Sequence, residues 1–563
     1  MGFESIMSSK NKTLSEYIDK NYAQHPQRVW LRDRSGDDFT EWTWQQARAE
    51  INAAAACLEQ RYGASQANII LLSRNRAHWM MADLAIIGSG NVTIPIFTTL
   101  APSVAEYIFD FCGAGVLILG EADNWASLRE VLPDAIEIIT LPGVDIDMPH
   151  TRWEDMLDEC AGLEPQYKPK HDDLVSIVFT SGTTGVPKGV MQSHDSMILP
   201  MQRSVKVMKL DRQDHPRFLS YLPLSHIAER QLVMVKSILI TGSVTFNESM
   251  ATLLRDMADT RPNFFFGAPR VWEQLQQGIL AQFGSQEALE AALAADHDGV
   301  GLKIRTLLGL NDATYLLTAA APTPPALLRW YAELGLKVME GFGQTEIMVT
   351  AVCTEEHCKI GSIGRAMDQV EVKISDVGEI LFKAEGAAVG YYKMPEKTAE
   401  TFVDGWVHTG DKGYIDDDGF IFLTGRVKDY FKTIQGKFVA PAPVENHFAK
   451  NQWTEQLCLL GRGYSKTVMV CVLSGAAMKM ARNDIEKSLI EQAAEVNRKV
   501  EHHARIGAVI ISEQPWTIEN TMLTPTLKIR RDEVESRFGE RARELAYEGA
   551  VQHETQLEWL GFA

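Results

Sequence analysis

A loop rich in glycine and hydroxyl side chains occupies residues 177–190, which read IVFTSGTTGVPKGV. Four β-favouring residues run into this loop, which combines flexible backbone with one cation, Lys188. Such groups suit a polyphosphate, because N–H groups and hydroxyls donate to its oxygens and lysine neutralises its charge. The loop is not a Walker A sequence, since Pro187 precedes the lysine and Gly189 follows it. The alternative is an ordinary glycine-rich turn between a strand and a helix.

A second set of polar side chains lies in residues 339–346, which read MEGFGQTE. In this segment Phe342 can pack against a base, Thr345 can donate to a phosphate, and Glu346 can hold Mg²⁺. Taken alone, the segment is more typical of a structural turn with a threonine at a helix N-cap.

Four more residues have types that suit a nucleotide or a carboxylate substrate. Asp411, in WVHTGD, can accept hydrogen bonds from both hydroxyls of a ribose, although aspartate is also common in turns. Arg426, in GRVKD, can pair with Asp429 in a surface ion pair. Lys528, in LTPTLKIRR, is a candidate active-site cation or part of an exposed basic tail. His226, in YLPLSHIAER, can sit beside a substrate carboxylate or serve a structural role.

The composition limits the classes of function. The chain has 563 residues and a net charge of −19, which argues against broad nucleic-acid binding because phosphate contacts need clustered lysine and arginine. Seven cysteines in so long a chain do not make a disulfide framework, and they favour a reducing, cytoplasmic location. Two of them flank the segment CTEEHC (353–358), which has no second pair of metal ligands.

The sequence also limits the relation of the chain to membranes. The N-terminus lacks the apolar core of a signal peptide. No apolar run approaches the roughly 18–20 residues that a membrane span requires. We therefore expect a soluble protein that at most contacts a membrane peripherally. The sequence indicates no oligomeric state.

Alternating apolar runs and helical patterns predict an α/β fold of layered sheets and helices. The predicted strands are Ile69–Ser73, Val92–Phe97, Val116–Leu119, Leu174–Thr180, Phe264–Phe266, Tyr315–Thr318, Gln456–Leu460, Thr467–Leu473 and Ala508–Ser512. The predicted helices are Trp44–Tyr62, Ala77–Gly88, Ala251–Thr260, Val271–Gln282 and Ser285–Asp298, the last ending near Gly299. A hairpin is expected at Gly413–Asp429, with the turn at Asp418-Gly419. A boundary near Gly425–Lys428 divides a large domain, 1–426, from a smaller α+β domain, 427–563.

These segments occur together and in a fixed order. The series TSGTTGVPKGV, YLPLSHIAER, EGFGQTE, TGD, GRVKD and LTPTLKIRR resembles the adenylate-forming superfamily of acyl-CoA synthetases, luciferases and nonribosomal adenylation domains. Within it, LPLSHIAER, FGAPRVWE, GFGQTE and LTPTLKIRR are most similar to long-chain fatty-acid CoA ligases. The resemblance extends from the N-terminal region to about Arg531.

The resemblance implies a two-step reaction that uses ATP, Mg²⁺ and coenzyme A. A carboxylate attacks the α-phosphorus of ATP, and acyl-AMP and pyrophosphate form. The thiol of coenzyme A then attacks the acyl carbon, and AMP leaves. The resemblance also implies that the small C-terminal domain is mobile and rotates between the two half-reactions.

The resemblance assigns roles to residues at matching positions. The β- and γ-phosphates would contact Thr180, Ser181, Gly182, Thr183, Thr184 and Lys188. The adenine would lie against Gly341 and Phe342, and the ribose would be held by Asp411 and Arg426. The catalytic set would be Lys528, Thr345, Glu346 and His226, with Thr180 and Glu346 as the Mg²⁺ ligands and Lys428 at the hinge. Lys528 would reach the α-phosphate and the carboxylate during adenylation only.

Two departures and several alternatives accompany the resemblance. Lys437 lies where long-chain ligases often carry an acidic residue, and Phe179 replaces a common tyrosine.

A medium- to long-chain fatty acid is the expected substrate, with Phe264–Gly267 and Ala319–Pro322 as pocket walls. Other open readings are an aryl or other small carboxylate, a carrier-protein thiol in place of coenzyme A, a luciferase-like oxygenase, and a non-catalytic ATP-binding protein.

Overall fold

The computed structural model describes residues 12–180, 187–475, 477–518, 520–524, 528–552 and 554–561. Its residues form two compact units. The first contains residues up to 373, together with 381–408 and 416–421. The second contains 374–380, 409–415 and the chain from 422 onward. The chain therefore passes several times between the units before it ends in the second.

The first unit is built on two large sheets. One sheet has nine strands, which in chain order are β1 (Val29–Ser35), β2 (Asp38–Thr43), β10 (Arg217–Ser220), β11 (Ser243–Phe246), β12 (Phe264–Gly267), β13 (Tyr315–Thr318), β14 (Val338–Gln344), β15 (Ile347–Val352) and β16 (Arg365–Ala366). The other has eight, which are β3 (Asn68–Leu72), β4 (Val92–Ile96), β5 (Val116–Leu119), β6 (Glu137–Thr140), β7 (Thr151–Arg152), β8 (Leu174–Thr180), β9 (Lys188–Ser193) and β19 (Gly390–Tyr391). The central strands are parallel and carry continuous apolar runs, as strands covered on both faces do.

Helices of the first unit cover these sheets. They are α1 (Leu14–Gln24), α2 (Trp44–Tyr62), α3 (Ala77–Gly88), α4 (Pro102–Cys112), α5 (Trp125–Leu128), α6 (Trp153–Glu159), α7 (His194–Val207), α8 (Ile227–Glu229), α9 (Lys236–Leu239), α10 (Leu253–Thr260), α11 (Pro269–Phe283), α12 (Gln286–Ala295), α13 (His297–Leu307), α14 (Pro325–Glu333) and α15 (Pro395–Thr401). A π-helical turn, Arg230–Val235, joins α8 to α9. Helix α3 is buried on every side, because all twelve of its residues are buried.

Five strands form a smaller sheet between residues 371 and 426. They are β17 (Glu371–Ile374), β18 (Glu379–Lys383), β20 (Phe402–Val403), β21 (Trp406–Ile415) and β22 (Ile421–Arg426). The expected hairpin is present, and Gly419 takes a positive φ of 83° in its turn. A residue with a side chain is strained in that conformation, so the glycine of the Asp-Gly pair correctly marked the turn.

The second unit has its own mixed sheet and core. Its remaining strands are β23 (Phe431–Lys432), β24 (Phe438–Val439), β25 (Thr454–Leu460), β26 (Thr467–Leu473), β27 (Ile506–Ser512) and β28 (Gln556–Leu560). Its helices are α16 (Pro441–Phe448), α17 (Arg482–Lys499) and α18 (Arg531–Gln552). The last four strands pair in the order β25-β26-β27-β28, with buried side chains on both faces.

One predicted helix differs from the structure. The single helix expected at 285–298 is two helices, because Asp296 adopts φ −153° and ψ 82° and caps the second helix by accepting the Gly299 N–H. The structure also contains one disulfide, between Cys57 and Cys160, whose Cα atoms lie 5.8 Å apart. In the described part of the chain, no helix combines the length and the apolar character needed to cross a membrane.

Candidate functional site

Strands β8 and β9 carry the two ends of the phosphate-type loop. They pair antiparallel, with Thr180 opposite Lys188, and the Thr180 hydroxyl donates to the Lys188 carbonyl at 3.5 Å. The residues of the loop proposed to contact phosphates, Ser181, Gly182, Thr183 and Thr184, lie outside the described residues. Gly189 is required by close packing, because a Cβ there would lie 2.6 Å from the Ile177 Cγ2 atom. The hairpin therefore fixes Thr180 and Lys188 side by side at the base of the loop.

Tyr391 connects the cation of this loop to the acidic motif. The Lys188 Nζ atom lies 5.0 Å from the centre of the Tyr391 ring. The Tyr391 hydroxyl donates to the Glu346 Oε1 atom at 2.7 Å. Burial, and then the charge of Glu346, raise the pKa of Tyr391, so its hydroxyl keeps its proton and acts as a donor. The structure thus brings Lys188 and Glu346 to one aromatic side chain.

The motif EGFGQTE forms the tight turn between β14 and β15. Gln344 pairs with Ile347, so Thr345 and Glu346 are the two residues at the tip. Gln192 donates from its side-chain nitrogen to the Thr345 carbonyl at 2.8 Å. The Glu346 carbonyl accepts the N–H of Ala388 at 2.9 Å. Both tip residues are therefore held through their main chain, which leaves their side chains to make other contacts.

Backbone packing explains the glycines of the same motif. A Cβ on Gly343 would lie 2.5 Å from the Val349 nitrogen, and one on Gly341 would lie 2.9 Å from the Leu317 Cδ1 atom. The Phe342 ring is half-buried and lies 5.6 Å, centre to centre, from the Phe382 ring. The motif therefore places one aromatic ring beside main chain that is packed too closely for any residue other than glycine.

His226 begins the short helix α8. Its Nδ1 atom accepts the N–H of Ala228 at 3.1 Å, so it acts as the N-cap of that helix. Three residues later, the buried carboxyl of Glu229 accepts the N–H of Tyr221 at 2.9 Å. Burial raises the pKa of Glu229 to about 8. Capping gives His226 a structural role in addition to the catalytic role expected for it.

A buried ion pair supports the strand that leads into the loop. Arg230 donates from Nε to Asp83 Oδ2 at 2.8 Å, and both side chains are fully buried. A second guanidinium nitrogen of Arg230 donates to the Ser176 hydroxyl at 2.5 Å, and Ser176 donates to the Thr93 carbonyl at 2.8 Å. In the sequence, the only sign of this network is the charge of Arg230 within an apolar segment.

In the second unit, Asp411 and Arg426 form an ion pair. Arg426 Nε lies 2.8 Å from Asp411 Oδ1, and the Asp411 side chain is nearly buried while that of Arg426 is half-exposed. The Asp411 N–H donates to the Thr409 hydroxyl at 3.0 Å, and the Gly410 N–H donates to Glu379 at 2.8 Å. These bonds hold the aspartate in a fixed turn, with its carboxylate directed at the guanidinium.

Lys428 and Lys528 also lie in the second unit. Lys428 lies in the turn that follows β22, where the Asp429 N–H donates to the Arg426 carbonyl at 3.2 Å. Lys528 is exposed, its N–H donates to the Thr524 hydroxyl at 3.0 Å, and its carbonyl accepts the Thr524 N–H at 2.8 Å. Lys528 is therefore held through its main chain by Thr524.

The described residues include no group of three or more histidine, cysteine or acidic side chains placed to hold a metal ion. Mg²⁺ does not require such a group, because proteins often supply one or two oxygen ligands and substrate phosphates supply the others. The carboxylate of Glu346, oriented by Tyr391, and the hydroxyl of Thr180 are hard oxygen donors of that kind. The donor set fits Mg²⁺ carried by a nucleotide.

Comparison with protein families agrees with this arrangement. The description "AMP-binding enzyme" matches residues 18–392, and "AMP-binding enzyme C-terminal domain" matches residues 428–549. The chain belongs to the AMP-binding enzyme family. The resemblance seen in the motifs is thereby confirmed, because the matches span the loop, the EGFGQTE turn and the segment that contains Lys528.

Characterised relatives of this AMP-binding enzyme are distant. A Gallus gallus protein named long-chain-fatty-acid–CoA ligase ACSBG2 is 27% identical over 79% of this chain, and the chain spans 65% of that relative's length. The Mycobacterium bovis long-chain-fatty-acid–CoA ligase FadD15 is 26% identical, and the match covers 89% of this chain and 91% of that relative. At identities of this size, the names of the relatives do not establish the substrate of this chain.

A solved structure confirms the fold of this family member. The anthranilate CoA ligase AuaEII, crystallised with anthranoyl-AMP, superimposes with a TM-score of 0.77 at 21% identity. The match covers 96% of this chain and 98% of that chain. The expected α/β architecture, with a large N-terminal part and a smaller C-terminal part, is thus confirmed.

Proposed function

We propose that this AMP-binding enzyme is an AMP-forming acid–thiol ligase that converts a medium- to long-chain fatty acid into its coenzyme A thioester. One observation carries the proposal: Lys188 beside the hydroxyl-rich loop and Glu346 of the acidic motif contact the same residue, Tyr391. A cation and a magnesium-type carboxylate at one place suit a nucleoside triphosphate with its metal. The names of the curated relatives support the acyl-CoA ligase class and the fatty-acid substrate.

The adenylation step needs charge neutralisation at phosphorus. As the fatty-acid carboxylate attacks the α-phosphorus, negative charge develops on the phosphoryl oxygens and on the leaving pyrophosphate. We assign Thr345 and Lys528 to the α-phosphate, and Lys188 with Thr180 to the β- and γ-phosphates. Glu346 and Thr180 would hold Mg²⁺, which would neutralise the same oxygens when bound.

Recognition of the nucleoside is assigned to other residues. Phe342 and Gly341 would border the adenine, where a half-buried ring and a bare backbone permit a flat base to approach. Asp411, oriented by Arg426, would accept from the ribose hydroxyls. His226 would lie near the substrate carboxylate. Lys428 would be the hinge between a functional domain 1–426 and a second, 427–563.

The proposed acyl pocket lies at the ends of two parallel strands. Gly267, at the end of β12, pairs with Thr318, at the end of β13. Segment 319–322 therefore starts beside Gly267, at the carboxyl edge of the sheet, where α/β proteins commonly bind ligands. A buried methylene contributes about 0.8 kcal/mol, so such a pocket discriminates neighbouring chain lengths only several-fold.

The test is pyrophosphate release with ATP and Mg²⁺ across a panel of short, medium and long fatty acids and aryl acids, each with and without coenzyme A. The proposal predicts release that depends on coenzyme A and is greatest with medium to long chains. If turnover is greatest on aryl acids, the proposed substrate class is wrong, but the assignment as an acid–thiol ligase stands. Pyrophosphate release that coenzyme A does not accelerate would contradict the second half-reaction.

A further inference from the structure

His226 lies in a loop, residues 221–226, that connects strand β10 to helix α8. Strand β10 runs parallel to β12, so the loop leaves the sheet at the same carboxyl edge as the proposed acyl pocket. The Tyr221 hydroxyl donates to the Phe266 carbonyl at 2.6 Å, and the Tyr221 ring stacks on Phe265 with centres 5.3 Å apart. The first residue of the loop is therefore bonded to the strand that borders the pocket.

Asn75 holds the middle of this loop from the other large sheet. It follows strand β3, and its side-chain nitrogen donates to the Leu222 carbonyl at 2.6 Å and to the Ser220 hydroxyl at 2.9 Å. Its side-chain oxygen accepts the Leu224 N–H at 2.9 Å. One amide thus bonds the main chain on both sides of Pro223, and it connects a segment that follows β3 to the end of β10.

Neighbouring contacts keep Asn75 in place. The Arg74 N–H donates to the Glu121 carbonyl at 2.7 Å, and the Ala77 N–H donates to Asp33 Oδ1 at 2.8 Å. Ala77 begins helix α3, whose residues are all buried. The amide is therefore attached to a firmly packed part of the first unit and can restrain the loop that it contacts.

The far end of the loop orients the imidazole of His226. Its Nδ1 atom accepts the Ala228 N–H at 3.1 Å, so in the neutral ring the hydrogen lies on Nε2. The His226 N–H donates to the Pro223 carbonyl at 2.9 Å, and Pro223 lies between the two main-chain groups that Asn75 bonds. An Nε2–H is a donor that suits a carboxylate, and its position depends on the segment that Asn75 restrains.

We propose that Asn75 is a positioning residue that places His226 against the carboxylate of the fatty acid. The inference rests on the proposed function, in which His226 lies near that carboxylate. If Asn75 no longer bonds the loop, the Nε2–H of His226 moves away from the carboxylate, and the acid binds and reacts less well. Recognition of ATP is assigned to other residues and is unaffected. The defect therefore belongs to kcat/KM for the fatty acid and not to the KM for ATP.

Asn75→Asp is the test variant, because aspartate has nearly the same shape but presents an acceptor where the amide donates to a carbonyl. Asn91→Asp is the matched control. Asn91 also donates to a carbonyl, that of Gly63 at 3.0 Å, and to a hydroxyl, that of Ser89 at 2.9 Å, and it accepts the Ala67 N–H at 2.9 Å. None of these three partners lies in the loop, so the control reproduces the local loss of bonding alone.

Each variant of the full-length protein is also combined with His226→Ser, since serine can still cap α8 but lacks the Nε2–H. Pyrophosphate release at saturating ATP gives kcat/KM for the fatty acid. We expect Asn75→Asp to lower this value by about tenfold or more alone. With His226→Ser present, the loss should be less than about twofold, because both changes remove the same contact. The KM for ATP should stay at its wild-type value, and Asn91→Asp should have the same small effect in both backgrounds.

The outcomes separate this inference from the proposed function. The inference is overturned if Asn75→Asp causes no loss, if its loss persists with His226→Ser, or if His226→Ser alone leaves kcat/KM unaltered. In each of these cases, pyrophosphate release by the wild type leaves the ligase assignment in place. If the wild type releases no pyrophosphate with any acid, the proposed function fails and the inference fails with it. If urea denaturation shows that Asn75→Asp is unfolded, Asn75→Ser, which adds no charge, takes its place in the same cycle.

Discussion

At the scale of single residues, Tyr391 is the most informative side chain of the candidate site. Its hydroxyl donates to Glu346 and its ring lies beside Lys188, so it restrains one of the two oxygens of a proposed magnesium ligand. Groups that orient a metal ligand commonly affect metal affinity nearly as much as the ligand itself. The role proposed for Glu346 therefore includes Tyr391 as a positioning residue.

Replacing Tyr391 with phenylalanine tests that role. The ring and its packing remain, but Glu346 loses its hydrogen bond, so we expect the Mg²⁺ concentration for half-maximal pyrophosphate release to rise about tenfold. Tyr392→Phe is the matched control, because that hydroxyl accepts from Asn68 instead. Equal Mg²⁺ dependence in the two variants would mean that Tyr391 does not position the carboxylate.

Asp411 offers a second test. Asp411→Ala should raise the KM for ATP by tenfold or more, since a hydrogen bond to a charged group contributes about 1.5–3 kcal/mol. Steady-state rates at varied ATP concentration measure this change. Asp417→Ala, at an exposed residue of the nearby hairpin turn, should leave the KM unchanged. If Asp411→Ala also leaves it unchanged, Asp411 does not bind the ribose.

Glu229 should make stability depend on pH. Burial raises its pKa to about 8, above its value of 4.5 in the unfolded chain, so between these values the folded state retains a proton that the unfolded state releases. Its contribution is complete below pH 4.5 and disappears as pH rises through 8, with a slope of at most about 1.4 kcal/mol per pH unit. Glu229→Gln should flatten the curve of unfolding free energy between pH 5 and 8, measured by urea denaturation at each pH. If the curve of the variant is as steep as that of the wild type, Glu229 is not the source of the pH dependence of stability.

At the scale of elements, the β8–β9 hairpin sets the position of the loop. Gly189→Ala should destabilise the protein by about 1–3 kcal/mol, because the added Cβ would lie 2.6 Å from Ile177 Cγ2 and 3.2 Å from Phe179 Cζ. Gly115→Ala is the control, since no atom lies within 4 Å of its Cβ position. Denaturant unfolding measures both. Similar stabilities for the two variants would show that the hairpin accommodates the methyl group.

Elements with long helical patterns or continuous apolar runs were predictable from the sequence. The helices Trp44–Tyr62 and Ala77–Gly88 and the strands Val116–Leu119 and Tyr315–Thr318 are confirmed with the expected bounds. The prediction failed at Asp296, where one backbone conformation divides a continuous Ala- and Glu-rich pattern into two helices. Gly299, expected near the helix end, instead supplies an N–H to the cap of the second helix.

The sequence indicated candidate site residues only where they belong to a recognisable motif. Lys188, Thr345 and Glu346 stand out by type and spacing, and the structure brings Lys188 and Glu346 to one tyrosine. Tyr391 was missed because it acts through the pairing of β19 with β9, which depends on tertiary structure. Gln192 was missed for a similar reason, since a polar residue on a strand gives no sign of its distant carbonyl partner.

At the scale of the whole molecule, Lys528 tests whether the second unit acts in one half-reaction only. Lys528→Ala should nearly abolish acyl-AMP formation, because the cation that offsets charge at the α-phosphate is lost. Thioester formation from pre-made acyl-AMP should continue at close to the wild-type rate. The two rates are measured separately, with Lys487→Ala, an exposed lysine of the same unit, as control. Equal losses in both half-reactions would contradict the alternation of domains.

The interleaving of the two compact units affects how the protein can be divided experimentally. Strand β19 belongs with the first unit, yet residues 374–380 of the second unit precede it in the chain, and 409–415 follow. A truncation before residue 390 would remove Tyr391 and the edge partner of β9, whereas one after residue 421 would carry pieces of both units. Splitting the gene at a single codon therefore cannot yield the first unit alone, and isolated-domain studies would require internal deletions with new linkers.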